Sequence, residues 1–420
     1  MFIQFAFKNY KSFRDDTVLD LSATKITEHN ERVVKIGKER LLTTAAIYGA
    51  NASGKSNVIE AFRFMTTYVM DSLNYGGEMS KKGSKSKVVR RTPFLFDKTS
   101  KNEDSTFEVF FITSEDTGCK TYNYGFALNE DGVSEEWLNV KSKTAKEYKR
   151  IIYRGEGELD LSGIPAKSRE NIRIALEKET LIVSLGAKLK IAKLKMIRDW
   201  FFNVNFTNFG DPIENAFVSR LLPYEFAESK DVQKNIVKFI SSFDPSIVDF
   251  DVTMFKDEAG EDNIRIEAVH KVAGTEELTS IPFEDESDGT LKMFALYQAM
   301  HDALESGGVF CIDELNARLH PLLVRNFIIT FLNPEINVNH AQLIFTTHEA
   351  WLLANNLLRR DEIWFTEKDS DGATTLYSLA DFVDEDGVKI RKDESFEKNY
   401  LLGKYGAIPE LKAFDMFSGV

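Results

Sequence analysis

Cysteine is nearly missing from this chain: Cys119 and Cys311 are the only two in 420 residues, and neither has a CxxC partner or a metal-like neighbour. That argues against a disulfide framework and against zinc, and makes a reducing cytoplasm the expected setting. Long apolar runs are missing too. No segment approaches the roughly 20 residues that span a bilayer, so no membrane association is expected. The opening MFIQFAFKNYKSF has neither the charged start nor the small-residue cleavage site of a secretory leader. Positive charge is in deficit, with 53 Lys and Arg against 66 Asp and Glu and a net charge of −13. Sequence-independent grip on nucleic acid is mostly phosphate neutralisation, so any such contact must be local. Internal repeats and low-complexity segments are absent. The preorganised carboxylates of a metal-dependent nuclease are absent as well: the acids of DSDG (369–372) and DEDG (384–387) fall in turn-like sequence without calcium-loop spacing.

What is present is a large apolar complement, 43% of residues with 12% aromatic, enough for one large domain or two closely joined ones. The stretch IYGANASGKSN (47–57) stands out. Its glycines, Gly49 and Gly54, are five apart, and Lys55 and Ser56 follow the second. LLTTAAIYG before it reads as a buried strand, and KSNVIEAFRFMTTYVMDSL after it has Val58, Phe62, Met65 and Met70 near helical spacing. Strand, glycine loop and helix form the context that the phosphate-binding pattern G-x-x-x-x-G-K-[ST] requires. The backbone N–H groups of Ala50, Asn51, Ala52, Ser53, Gly54, Lys55 and Ser56 would turn toward phosphate oxygens, aided by the helix N-terminus. Lys55 would reach the β- and γ-phosphates of ATP, and the Ser56 hydroxyl would ligate Mg²⁺.

Around this loop, FIQFAFKNYKSF reads as an edge strand. FEVFFI (107–112), KTYNYGFAL (120–128), EEWLNVKS (135–142) and RIIYRG (150–155) read as further strands, with NEDG (129–132) as a hairpin turn. From Pro165 the period changes. Leu185, Leu189, Ala192, Met196 and Trp200 fall on one face of a helix, and ESKDVQKNIVKFISSF (228–243) predicts another. The expected organisation is a lobe at 1–160, a mostly helical middle region at 161–275, a second αβ lobe at 276–366 and a tail at 367–420. The expected fold class is an α/β P-loop NTPase.

The second lobe carries the remaining chemistry. GGVFCIDEL (307–315) is a glycine turn and an apolar strand ending in Asp313 and Glu314. Asp313 fits a Mg²⁺-holding carboxylate and Glu314 a group that polarises the attacking water. QLIFTTHEAWLL (342–353) is a second buried strand, ending at His348, a candidate γ-phosphate sensor. Between them FEDESDGTLKMFALYQAMHDAL (283–304) reads as a helix that Ser287 and Asp288 can cap. Ser287, Gly289 and that helix N-terminus can also form a second phosphate-binding surface. A chain with its own phosphate loop has no need of one, but the γ-phosphate on a neighbouring copy does.

This order of motifs resembles the ABC-type ATPase heads of the SMC and RecF group, in which the signature serine and glycine of one subunit close over ATP on the other. The resemblance implies two lobes, an insertion between them, ATP with Mg²⁺, and head-to-head homo-oligomers. It also implies that FKNYKSF (7–13) brings Lys11 toward the nucleotide and that Asn57 belongs to the site. ESDGT (286–290), IDELNARLHP (312–321) and ESFEKNYLLGKYGAIP (394–409) resemble the RloA/AriA-like ATPases of bacterial anti-phage defence operons, with relatives in AbiL-type and PARIS systems. That implies a sensor or scaffold ATPase controlling a separate, operon-encoded effector, a nuclease in the favoured reading; a RecF-like DNA-repair ATPase acting directly on DNA is the alternative. The signature departs from Ser-Gly-Gly-Gln at Asp288 and Thr290, which points to slow hydrolysis. No glutamine marks a Q-loop, and LIVSLG (181–186) offers Ser184 in that place. The D-loop position falls near Asn316 and Ala317. SKKGSKSKVVRR (80–91) has six basic residues and no acid, so Lys81–Arg91 is the local patch that nucleic acid or an acidic phage protein would contact. Lys188, Lys190, Lys193, Lys195 and Arg198 form a second, more dispersed set.

Overall fold

The computed structural model describes residues 1–75, 91–113, 119–211, 225–256, 262–317, 319–353, 357–383, 387, 389–391 and 394–408. Three sheets carry the architecture. The first is a seven-stranded antiparallel sheet in the order Glu158–Asp160, Lys149–Gly155, Gly132–Lys141, Thr121–Asn129, Ser105–Ile112, Phe2–Lys8, Thr17–Asp20. The second has six strands, Val204–Asn208, Val309–Asp313, Gln342–Thr346, Thr44–Gly49, Ile363–Lys368 and Thr374–Ser378, parallel except at the last edge. Its central strands are buried throughout, which is why they read as apolar runs without alternation. The third is a small antiparallel sheet of Ile247–Lys256, Asp262–Lys271 and Leu278–Pro282.

The helix Lys55–Asp71 lies between the two large sheets. Its Val58, Phe62 and Met65 share one core with Phe5, Phe107 and Tyr124 of the antiparallel sheet and with Ile47, Cys311 and Ile344 of the parallel one. Buried Gln342 joins the sheets by hydrogen bonding. Its Oε1 accepts from Phe2 N–H at 2.7 Å, and its Nε2 donates to the Phe2 and Leu42 carbonyls at 2.9 Å. On the far face of the parallel sheet, the helices Asp288–Ser306 and Pro321–Leu332 and the tail residues Tyr400 and Tyr405 pack on Tyr48, Phe310 and Phe345. Phe294 of helix 288–306 also enters a separate small core with Phe226, Ile236, Ile240, Phe250 and Phe283, so this helix bridges the third sheet to the second.

Three expectations change. The first strand is not an edge: Phe2–Lys8 pairs on both sides, because Thr17–Asp20 folds back along it. The single amphipathic helix across 185–200 is two helices, Ile182–Lys188 and Ala192–Phe202. Lys190 adopts φ 58° between them, which resets the phase so that Ile191, Leu194 and Ile197 are buried while Leu189 and Ala192 are exposed. The helices meet at Gly186, where a Cβ would lie 2.1 Å from Leu194 Cδ1. The middle region is also less helical than expected. It contributes a strand to the parallel sheet at Val204–Asn208 and two long strands at 247–256 and 262–271. Among the described residues no helix is long and apolar enough to cross a membrane.

Candidate functional site

The C-terminal edge of the parallel sheet is where adjacent strands deliver chemistry in an α/β fold, and the polar strand ends collect there. Strand Thr44–Gly49 runs into the loop and helix 55–71. Gly54 caps the helix at φ 107°, and a Cβ on it would lie 2.7 Å from Thr374 Oγ1 and 3.0 Å from Ser12 Oγ. A Cβ on Gly49 would lie 2.5 Å from both Ser53 Oγ and Thr366 Oγ1. Both glycines are therefore fixed by close approach. Asn51 and Ala52 form the exposed tip, with Ala52 at φ 64°. Buried Lys55 donates from Nζ to the carbonyls of Gly49 and Ala50 at 2.9 Å. Burial brings its pKa down to about 8, against an upward pull from Asp313 and Glu314.

A hydroxyl network that sequence inspection misses holds the loop from outside. Ser53 Oγ lies 2.6 Å from Thr366 Oγ1. Thr374 Oγ1 donates to the Ser53 carbonyl at 2.9 Å and lies 2.8 Å from Ser12 Oγ. Asn57 Nδ2 donates to Ser12 Oγ at 2.8 Å. Ser53 and Asn57 thus use their side chains to brace the loop against the edge strands and the N-terminal segment. Lys11 has φ 50° and pairs with Glu60, on the second turn of helix 55–71.

Asp313 and Glu314 end the neighbouring strand and turn. Thr346, on the adjacent strand, serves both: its Oγ1 donates to Asp313 Oδ1 at 2.5 Å and accepts from Glu314 N–H at 2.8 Å. Glu314 sits at φ 54°, uncommon for a residue with a side chain and a mark of a specifically held turn. His348 Nε2 is 3.9 Å from Glu314 Oε1, both side chains being about one-third exposed. Burial, followed by the charge of Lys55, lowers the His348 pKa, so the ring is held toward its neutral form. Gly210, in the turn after strand 204–208, leaves no room beside Glu314: a Cβ there would be 2.7 Å from the carboxylate carbon and from Oε2. Nothing in the local sequence signals that contact, because the two residues are 104 positions apart.

The donors present are hard oxygens. Asp313 is buried and keeps Oδ2 beside its bond to Thr346, and Ser56 lies in the first turn of the loop helix. Among the described residues no cluster of three His, Cys, Asp or Glu could hold a metal unaided. This set fits Mg²⁺ shared with phosphate oxygens and water.

Ser287 caps helix 288–306, its Oγ accepting from Thr290 N–H at 3.1 Å, and it is exposed together with Asp288. Lys55, Asp313, Glu314 and His348 are brought together, whereas the Ser287 hydroxyl is bonded to Thr290, whose Oγ1 reaches Asp244. From the same helix, buried Lys292 donates to the Ala317 carbonyl and lies 3.7 Å above the Phe209 ring, while Asn316 accepts from Thr347 Oγ1 at 3.0 Å. Ser184 is excluded from a nucleotide role by position: its hydroxyl donates to the Val69 carbonyl at 2.6 Å, at the far end of helix 55–71. Most of the basic patch lies outside the described residues; Arg91, at its end, donates to the Lys101 and Glu103 carbonyls. In the dispersed set, Lys195 pairs with Asp199 and Arg198 donates to the Met70 carbonyl at 3.2 Å.

The solved structure described as "Crystal structure of the SmcHead bound to the C-winged helix domain of ScpA" is similar over 90% of this chain and 97% of that one, with 15% identity and a TM-score of 0.46. No curated protein matches the sequence. A family model matches residues 45–185 and 194–354, which take in the phosphate loop, Ser287, Asp313, Glu314 and His348. A P-loop ATPase of α/β fold, the chain belongs to the family described as "AAA domain, putative AbiEii toxin, Type IV TA system".

Proposed function

We propose that the chain binds and hydrolyses ATP with Mg²⁺, closes head to head on a second copy, and uses that switch to control a separate effector in an anti-phage defence system of the RloA/AriA kind. One observation carries the ATPase reading: Lys55, Asp313, Glu314 and His348 gather at the ends of adjacent parallel strands, with Thr346 bonded to both acids. Lys55 would exchange the Gly49 and Ala50 carbonyls for phosphate oxygens. Ser56 and Asp313 would hold Mg²⁺, which neutralises charge on the β- and γ-phosphates. Glu314 would orient and polarise the attacking water, with neutral His348 close enough to sense the γ-phosphate. Exposed Ser287 and half-buried Gly289, at the N-terminus of helix 288–306, are suited to a neighbour's nucleotide. The family description, with its toxin of a toxin–antitoxin system, is in keeping with a defence role.

The test is Glu314→Gln. Loss of the polarising carboxylate should slow turnover by about 10² to 10³ while phosphate and Mg²⁺ contacts persist. An ATP-bound pair should then accumulate and register as a doubled mass in light scattering. Unchanged mass with and without ATP would exclude closure, and unchanged turnover would remove Glu314 from the chemistry.

A further inference from the structure

The third sheet carries a polar chain that the nucleotide chemistry leaves unused. Glu286 Oε1 lies 2.7 Å from His270 Nε2, the two side chains being 7% and 17% exposed. The other ring nitrogen, Nδ1, lies 3.2 Å from Ser246 Oγ. Ser246 donates to Asp244 Oδ1 at 2.6 Å, and Asp244 Oδ2 accepts from Thr290 Oγ1 at 3.4 Å. Buried Thr290 in turn lies 2.9 Å from Ser287 Oγ. Glu286, His270, Ser246, Asp244, Thr290 and Ser287 therefore form one path, from strand 262–271 through the turn after helix 230–240 to the exposed turn at Ser287.

Ser246 Oγ also has the Asp244 carboxylate within 2.6 Å, an acceptor that competes with the ring for the hydroxyl proton, so the group is better suited to bracing than to nucleophilic chemistry. His270 bridges Glu286 on one ring nitrogen and the Ser246–Asp244 pair on the other, a clamp between them.

We propose that His270 is a positioning residue for the Ser287–Gly289 turn, aiming it at the nucleotide of a second copy. The proposal rests on the reading of Ser287 as a group that acts on a neighbour's ATP. Thr290, at the place where ABC signatures carry glutamine, is the link: it joins the cap directly to Asp244. Removing the clamp should let the turn shift while leaving the chain's own phosphate loop intact. A displacement approaching 1 Å is worth up to about 10²-fold in rate, so His270→Ala should lose at least about tenfold in ATP turnover with ATP affinity unchanged.

Mixing experiments separate this from general damage. Ser287→Arg and Lys55→Ala chains, each inactive alone, should regain part of wild-type turnover when mixed, because the loop of the first chain faces the Ser287 of the second. His270→Ala mixed with Lys55→Ala should recover in the same way, and His270→Ala mixed with Ser287→Arg should not recover. Thr290→Val, nearly isosteric, should give the same pattern and guards against misfolding of the histidine variant. Wild-type turnover in both His270→Ala and Thr290→Val, or recovery of His270→Ala with Ser287→Arg, would overturn the proposal. Absence of recovery in the Ser287→Arg and Lys55→Ala pair would refute the composite site itself and the positioning role with it.

Discussion

Gly210→Ala crowds the carboxylate of Glu314, the proposed water-polarising group, without replacing it. The added Cβ would lie 2.7 Å from the Glu314 carboxylate carbon, and ordinary contact begins near 3.4 Å, so the carboxylate has to withdraw by the difference. It is the free end of a flexible side chain, about one-third exposed and able to move, whereas the Gly210 turn is fixed by Asn208 Oδ1, which accepts from Gly210 N–H at 2.8 Å and Asp211 N–H at 3.1 Å. Gly210 does not have positive φ, so alanine meets no backbone strain there. Stability should therefore change by less than about 1 kcal/mol, as for other exposed turns. Catalysis should change more: a 1 Å misplacement costs up to about 10²-fold, and this smaller one predicts a drop of about tenfold in kcat with KM unaltered. Steady-state ATPase assays, with thermal melts and nucleotide titration as controls, read all three quantities. A folded Gly210→Ala with kcat within about twofold of wild type would show that the Glu314 position seen here does not govern the rate.

Lys55→Ala should abolish ATP binding in calorimetry, since Lys55 is the cation buried against the loop carbonyls; retained affinity would refute the phosphate-loop assignment. A stability effect far from the site follows from Glu362. Its carboxyl is fully buried, accepts from Arg359 N–H at 2.8 Å, and is pushed up to about 8, first by burial. The folded state then holds a proton that the unfolded chain has released above about pH 4.5. The contribution of this group is complete below that pH and is lost as pH rises toward 8, with a slope of at most about 1.4 kcal/mol per pH unit. Glu362→Gln should flatten the fall in thermal stability between pH 6 and 8, and identical pH profiles for the two proteins would rule the shift out.

The parts of the site that were legible in the sequence are those whose chemistry is local. A strand, a glycine loop and a lysine lie within the twelve residues 44–55, and Asp313 and Glu314 end a single apolar run. What stayed hidden is whatever the fold assembles from distant segments. Strand 2–8 reads as an edge because its second partner, Thr17–Asp20, is too short to give a strong pattern, and pairing partners leave no mark on a strand's own alternation. The split of the helix at 182–202 was hidden because Lys190 at φ 58° keeps a helical spacing of apolar residues on both sides while changing which of them face inward. Lys11 is the instructive case among the site residues. Its position was inferred from a resemblance, but a position in a motif does not specify the side chain's partner. Here Glu60, five residues after Lys55 and so on the second turn of the same helix, takes the ammonium.

The hydroxyl network carries the same reasoning one step further. Thr366 and Thr374 come from the last two strands of the parallel sheet and Ser12 from the N-terminal segment, yet together they fill the space that Cβ atoms on Gly49 and Gly54 would need. The two glycines are thus required for two separate reasons. They free the backbone to face phosphate, and they admit the hydroxyls that hold the loop's outer side through Ser53 and Asn57. A phosphate loop braced in this way is tied to both large sheets, since Ser12 follows strand 2–8 of the antiparallel sheet and Thr366 and Thr374 belong to the parallel one. A shift of one sheet against the other would therefore move Ser53 and Asn57, and the loop with them. On the proposed reading, nucleotide contacts and the relative setting of the sheets would be coupled through three hydroxyl side chains, two from the sheet of the loop strand and one from the segment after strand 2–8.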